Sequence, residues 1–270
     1  MMLENYKFHY SLTGNINKPL ILFLHGFMGK IDEFDPAIKL LNDEFSYLTI
    51  DLPGHGKTAI LGGNEYYQME NTAQAIINLL DKLQINQCYL VGYSMGGRLA
   101  LYLTLHFPDR FLKVILESAS PGLNSDQERL ARIKSDHQIA NKLIRLNTQE
   151  EFAKFLNFWY QQPIFSNIKN HPEYQSMLAS RLENKPAELA KSLQFMGTGY
   201  QPPLWDKLQN NKIPLLLLVG EYDEKFISMN TAMVYRCNCS KLKVIKKVGH
   251  NIHFEKPKAF VKNIRRFFRE

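Results

Sequence analysis

Apolar and polar positions change their period several times along this 270-residue chain, and each change marks an element. Tyr6, Phe8 and Tyr10 alternate with polar residues, as in a half-exposed strand, and Leu20 to Leu24 form a wholly apolar one. Phe34, Ile38 and Leu41 recur at helical spacing, Tyr47 to Leu52 returns to strand, and Ala73, Ile76, Ile77, Leu80 and Leu83 outline an amphipathic helix. Cys88 to Val91 favours strand, Leu99, Ala100 and Leu103 are helical up to Phe107-Pro108, and Val114 to Glu117 is a further buried strand. Strands and helices that alternate in this way build a mostly parallel central sheet with helices on both faces.

The pattern changes from about Pro121 to Trp205. Phe152, Phe155, Leu156 and Trp159 fall at helical spacing, no strand is legible, and Pro121-Gly122 and Gln201-Pro202-Pro203 punctuate the ends. An inserted helical cap over residues 121–205 therefore divides an α/β core into 1–120 and 206–270. Core strands resume at Ile213 to Val219 and Leu242 to Ile245. Phe260, Val261, Ile264, Phe267 and Phe268 share one face of a closing helix whose remaining positions carry Lys262, Arg265, Arg266 and Arg269.

A hydrophobic content of 45% is enough for one sizeable core and argues against disorder. The net charge of +7 is scattered, without basic runs or stacking motifs, which argues against nucleic acid and favours a small anionic metabolite as partner. Three cysteines without C-x-x-C spacing suggest neither a zinc site nor a redox motif. Met1 to Tyr10 lacks the basic start and apolar stretch of a secretory signal, and no apolar run is long enough to cross a bilayer. The expectation is a cytoplasmic chain without membrane contact, and nothing in the sequence fixes an oligomeric state.

Candidate chemistry gathers where strands end. Gly92-Tyr93-Ser94-Met95-Gly96 has the G-x-S-x-G form of a nucleophile elbow, with the serine on a sharp strand-to-helix turn. Asp223 follows the Leu215 strand in Gly220-Glu221-Tyr222-Asp223, and His250 follows the Leu242 strand directly; His253 is its rival. Carboxyl ends of parallel strands are where open α/β sheets build sites, and the order Ser, Asp, His is that of an α/β-hydrolase triad. Asp223 would hold His250 in one tautomer while His250 takes the Ser94 proton. The glycine-rich loop His25-Gly26-Phe27-Met28-Gly29 would turn the Phe27 N–H toward the site, making an oxyanion hole with the N–H of Met95.

These motifs, together with Asp51-Leu52-Pro53-Gly54-His55-Gly56 and Gly249-His250-Asn251, resemble the α/β-hydrolase superfamily over nearly the whole chain. Trp159-Tyr160-Gln161-Gln162-Pro163-Ile164-Phe165 and Met196-Gly197-Thr198-Gly199 through Trp205 resemble, more narrowly, the 2-succinyl-6-hydroxy-2,4-cyclohexadiene-1-carboxylate synthases. These are pyruvate-eliminating lyases of menaquinone and phylloquinone biosynthesis. The resemblance implies that Arg98, Arg132 and Arg181 bind a tricarboxylate substrate, with Tyr93, Trp159 and Phe165 as pocket aromatics, and that all three arginines converge on one pocket. It also implies proton-transfer chemistry at Ser94, for which a base and an oxyanion site suffice and no metal or organic cofactor is expected. The competing expectation is a serine hydrolase acting on an ester, thioester or carbon–carbon bond of an acidic metabolite, with Ser94 as nucleophile.

Overall fold

In the computed structural model, which describes residues 1–15, 17–165 and 168–270, the chain opens with β1 (Met2–Leu3), β2 (Tyr6–Lys7), β3 (Tyr10–Thr13) and β4 (Leu20–Leu24). There follow α1 (Asp35–Leu41), β5 (Ser46–Ile50), β6 (Ala59–Ile60), α2 (Met69–Lys82), β7 (Cys88–Tyr93), α3 (Met95–His106) and β8 (Phe111–Glu117). Four helices come next: α4 (Asp126–Ile144), α5 (Gln149–Trp159), α6 (Tyr174–Arg181) and α7 (Pro186–Met196). The chain closes with β9 (Leu215–Gly220), α8 (Glu224–Arg236), β10 (Ser240–Ile245), α9 (Ile252–Glu255) and α10 (Pro257–Arg269).

Seven strands form the main sheet in the order β10-β9-β8-β7-β4-β5-β3, parallel throughout except for β3, which runs antiparallel to β5 at the edge. Side chains alternate across the sheet. Leu22, Leu24, Leu90 and Leu116 pack with α2 and α3, while Ile21, Phe23, Val91 and Ile115 pack with α1 and α10. Burial on both faces is why these strands read as unbroken apolar runs.

Tyr6 to Tyr10 is not one strand. Tyr6–Lys7 joins a three-stranded antiparallel sheet with β1 and β6, and Tyr10 begins the edge strand of the main sheet. The alternation survives because Tyr6 and Phe8 stack on the same buried side, but His9 exchanges partners, donating its N–H to Thr58 Oγ1 and accepting from the Asp51 N–H.

Between β8 and β9 the described residues form α4 to α7 and no strand, around an apolar cluster that includes Ala140, Leu143, Phe152, Leu156, Leu189 and Leu193. Met28, in the loop after β4, belongs to the same cluster and ties these helices to the sheet's carboxyl edge. Among the described residues no helix is long and apolar enough to cross a membrane.

Candidate active site

Ser94 sits between β7 and α3 with φ 50° and ψ −108°, a conformation that L residues rarely adopt. Its N–H donates to the Glu117 carbonyl at 2.8 Å and its own carbonyl accepts from the Arg98 N–H at 2.9 Å, so the turn is tied to β8 and to the first turn of α3. Close approach makes two glycines necessary here. A β-carbon on Gly96 would collide with the Leu24 and His25 carbonyl oxygens, and one on Gly92 with the Gly96 backbone and Ala100.

The structure brings Ser94, His250 and Asp223 together. His250 Nδ1–H donates to Asp223 Oδ2 at 2.6 Å, and Nε2 lies 3.0 Å from Ser94 Oγ, placed to accept its proton. His250 and Asp223 are both buried, and Ser118 Oγ donates to the His250 carbonyl at 2.9 Å. His250 does not follow its strand directly: β10 ends at Ile245 and a turn through Gly249 intervenes. That turn forms because Val248 is fully buried and its carbonyl accepts from the Tyr222 N–H, tying the loop to the one that carries Asp223.

The loop after β4 is shaped by His25, whose Nδ1–H donates to the Gly26 carbonyl at 2.7 Å while Nε2 accepts from the Leu52 N–H at 2.9 Å. Burial lowers its pKa, so it serves as a neutral brace. The Asp51 carboxylate accepts from the Ile31 and Lys57 N–H groups and fixes the far end of the loop. Phe27 and Met95 line the same cavity as Ser94. Met95 opens α3, where backbone N–H groups lack helical partners and the helix dipole is positive.

That cavity, 430 Å³ in volume, lies between the sheet's carboxyl edge and α4, α5 and α7. Trp159 and Phe165 form part of its wall, with the Phe165 ring 5.9 Å from the ring of His250 and Trp159 5.5 Å from Phe27. Arg98 and Arg132 line it as well. Arg98 is buried and donates to Gln201 Oε1 at 3.2 Å and to the Met196 carbonyl at 2.9 Å; burial, aided by nearby Arg132, pushes its pKa down to about 10, leaving it charged at neutral pH. Arg132 Nε donates to Asp136 Oδ1 at 2.7 Å. No carboxylate lines the cavity among the described residues.

Two expected contacts are not made. Tyr93 is the last residue of β7 and shares the sheet face of Val91, packed with α1 and α10, so its ring lies behind His250 at 5.5 Å and against His253 at 4.8 Å instead of lining the cavity. Arg181 is also absent from the cavity wall, so the three arginines do not converge. It is buried at the end of α6, where Nη2 donates to Glu33 Oε1 at 2.7 Å, Nη1 lies 2.5 Å from Oε2, and Nε donates to the Tyr160 hydroxyl at 3.3 Å. Glu33 is itself buried and demands a cation there. Burial alone would raise the Glu33 pKa, but Arg181 and then His253 outweigh it and hold the carboxyl well below the usual range.

His253 belongs to this second cluster, not to the triad. Its Nδ1 lies 2.8 Å from Glu117 Oε2 and its Nε2 lies 3.0 Å from Glu33 Oε1, so both ring nitrogens donate to carboxylates and the ring is an imidazolium. Burial opposes that charge, yet Glu117 and Glu33 lift the pKa to about 9. Sequence reading missed Glu33 and Glu117, whose partners lie far along the chain. It also missed Lys225, which lines the cavity and could have been found as a cation two residues beyond Asp223 at the same sheet edge. Among the described residues no group of three or more His, Cys, Asp and Glu side chains could hold a metal ion.

An elbow serine, a histidine–aspartate pair and free N–H groups at a helix start, all at the carboxyl edge of a doubly covered sheet, define an α/β-hydrolase architecture. The family model for the alpha/beta hydrolase fold matches residues 19–257. A 2-succinyl-6-hydroxy-2,4-cyclohexadiene-1-carboxylate synthase of Serratia proteamaculans is 32% identical over 255 residues, 94% of each chain. One of Escherichia coli O1:K1 is 31% identical over 256 residues, covering 95% of this chain and 96% of that one. The structure of MenH from S. aureus superposes with a TM-score of 0.88 at 33% identity, covering 99% and 98% of the two chains. The chain belongs to the α/β-hydrolase family and, within it, to the family of these synthases.

Proposed function

We propose that the chain is a carbon–oxygen lyase of menaquinone or phylloquinone biosynthesis. It would eliminate pyruvate from 2-succinyl-5-enolpyruvyl-6-hydroxy-3-cyclohexene-1-carboxylate to give 2-succinyl-6-hydroxy-2,4-cyclohexadiene-1-carboxylate. The observation that carries this reading is a cavity where a linked Ser94, His250 and Asp223 stand beside two guanidinium groups, with no lining carboxylate among the described residues. Guanidinium groups bind carboxylates bidentately and stay charged, which suits a tricarboxylate and not a neutral ester.

In this mechanism His250 draws the proton from Ser94, whose oxygen removes the ring proton at C2, next to the succinyl carbonyl. The C2–H electrons form the C2–C3 double bond, the former C3–C4 double bond moves to C4–C5, and the C5–O bond breaks. The leaving enolpyruvate takes up a proton and becomes pyruvate. The N–H groups of Phe27 and Met95 meet the negative charge that develops on the succinyl carbonyl oxygen. Arg98 and Arg132 hold carboxylates, and Trp159 and Phe165 flank the ring. Residues 121–205 serve as the cap that shuts water out, and the enzyme works in the cytoplasm on a small anionic metabolite.

The same triad would support a serine hydrolase with Ser94 as nucleophile. Intact-mass measurement during turnover separates the two. The lyase stays unmodified throughout, whereas a substrate-derived ester on Ser94 that forms and decays at the turnover rate would overturn the assignment.

A further inference from the structure

The proposed substrate brings three carboxylates to a cavity whose two arginines already have protein partners: Arg98 with Gln201 and the Met196 carbonyl, Arg132 with Asp136. Arg181, the third cation expected there, is enclosed with Glu33. Resting on the reading given above, we propose that Lys225 binds the remaining carboxylate and is a substrate-binding residue of this site.

Lys225 lies in the first turn of α8, two residues beyond Asp223, on the exposed part of the cavity wall. It forms no ion pair or side-chain hydrogen bond among the described residues. Its neighbour Phe226 lines the same cavity and packs on the His250 ring at 4.8 Å, so the start of α8 is anchored beside the reacting groups. The residue type fits the place. An ammonium is a compact, well-hydrated charge on a flexible stem, able to follow a carboxylate that must enter and leave through the open side, while the planar guanidinium of Arg98 works in the buried interior. With Asp136 ionised, the lining arginines and their partner carry a net charge of one plus; Lys225 doubles it, against a trianion.

The test compares the wild type with Lys225→Met and Lys225→Arg. Pyruvate release is followed at several salt concentrations, alongside calorimetric binding of 2-succinylbenzoate, a stable dicarboxylate. We expect Lys225→Met to raise KM about tenfold, with kcat within about twofold and a weaker dependence of KM on salt, because one charged hydrogen bond at an exposed site is lost. Lys225→Arg should restore most of the loss. Pyruvate release by the wild type with an unchanged KM in Lys225→Met overturns the role of Lys225 and leaves the reaction standing. If the wild type releases no pyruvate, the reaction is wrong and the dicarboxylate decides about Lys225 alone. Tighter binding to wild type than to Lys225→Met supports it, and equal or absent binding overturns it.

Discussion

Ser94 pays for its exposure to the cavity with a backbone conformation that costs about 1–3 kcal/mol, held in place by β7, β8 and α3. Alanine fits the same turn, so Ser94→Ala should fold and bind substrate normally while kcat falls about 10²–10⁴-fold, the range for losing a positioned base. Two arginines make a sharper contrast. Arg98→Ala removes a cation from the cavity and should weaken substrate binding or catalytic efficiency about 10 to 150-fold, with the unfolding midpoint changed less. Arg181→Ala takes the bidentate guanidinium from the buried carboxylate of Glu33, leaving it with His253, and should destabilise the fold by about 3–5 kcal/mol, read by denaturant unfolding. A wild-type midpoint in Arg181→Ala would show that Glu33 does not depend on it. Sequence could place Arg98, one helical turn past the elbow serine. It could not distinguish Arg181 from a cavity arginine, because the partner that claims it lies 148 positions away.

At the level of elements, the cluster of Glu33, Arg181, His253 and Glu117 joins the loop after β4, α6, α9 and β8 across the interior. Its two titrating members act in opposite directions. The pKa of His253 is raised in the fold from 6.5 to about 9, so its contribution is complete below pH 6.5 and is lost as pH climbs through 9. Glu33 is depressed below 4.5, so its contribution is present above that pH and fades as pH falls toward its folded value. Thermal unfolding followed against pH should therefore show His253→Gln destabilised most near pH 6, with the gap to wild type narrowing by pH 9. A constant gap would contradict the charged state assigned to His253. The strands and helices themselves were legible because burial on both sheet faces and helical spacing write themselves into local sequence. The division of Tyr6 to Tyr10 between two sheets was not, since it depends on where Ala59 and Ile60 arrive.

Over the whole molecule, the parallel sheet presents Ser94, Asp223 and His250 at one edge, and helices α4, α5 and α7 complete a cavity above them. The order of the three residues and their positions after strands made the triad readable from sequence. The shape of the cavity and the identity of its cations required the packed structure, because α4 to α7 form an apolar cluster of their own whose placement over the sheet local sequence does not encode. Elimination and hydrolysis leave different products from this one arrangement. The central claim is therefore tested most directly by supplying 2-succinyl-5-enolpyruvyl-6-hydroxy-3-cyclohexene-1-carboxylate to the purified enzyme and measuring pyruvate with a coupled lactate dehydrogenase while the diene product is quantified. The account predicts one pyruvate per diene formed, at a rate that collapses in Ser94→Ala. Substrate consumed without pyruvate, or pyruvate released at the wild-type rate by Ser94→Ala, would contradict it.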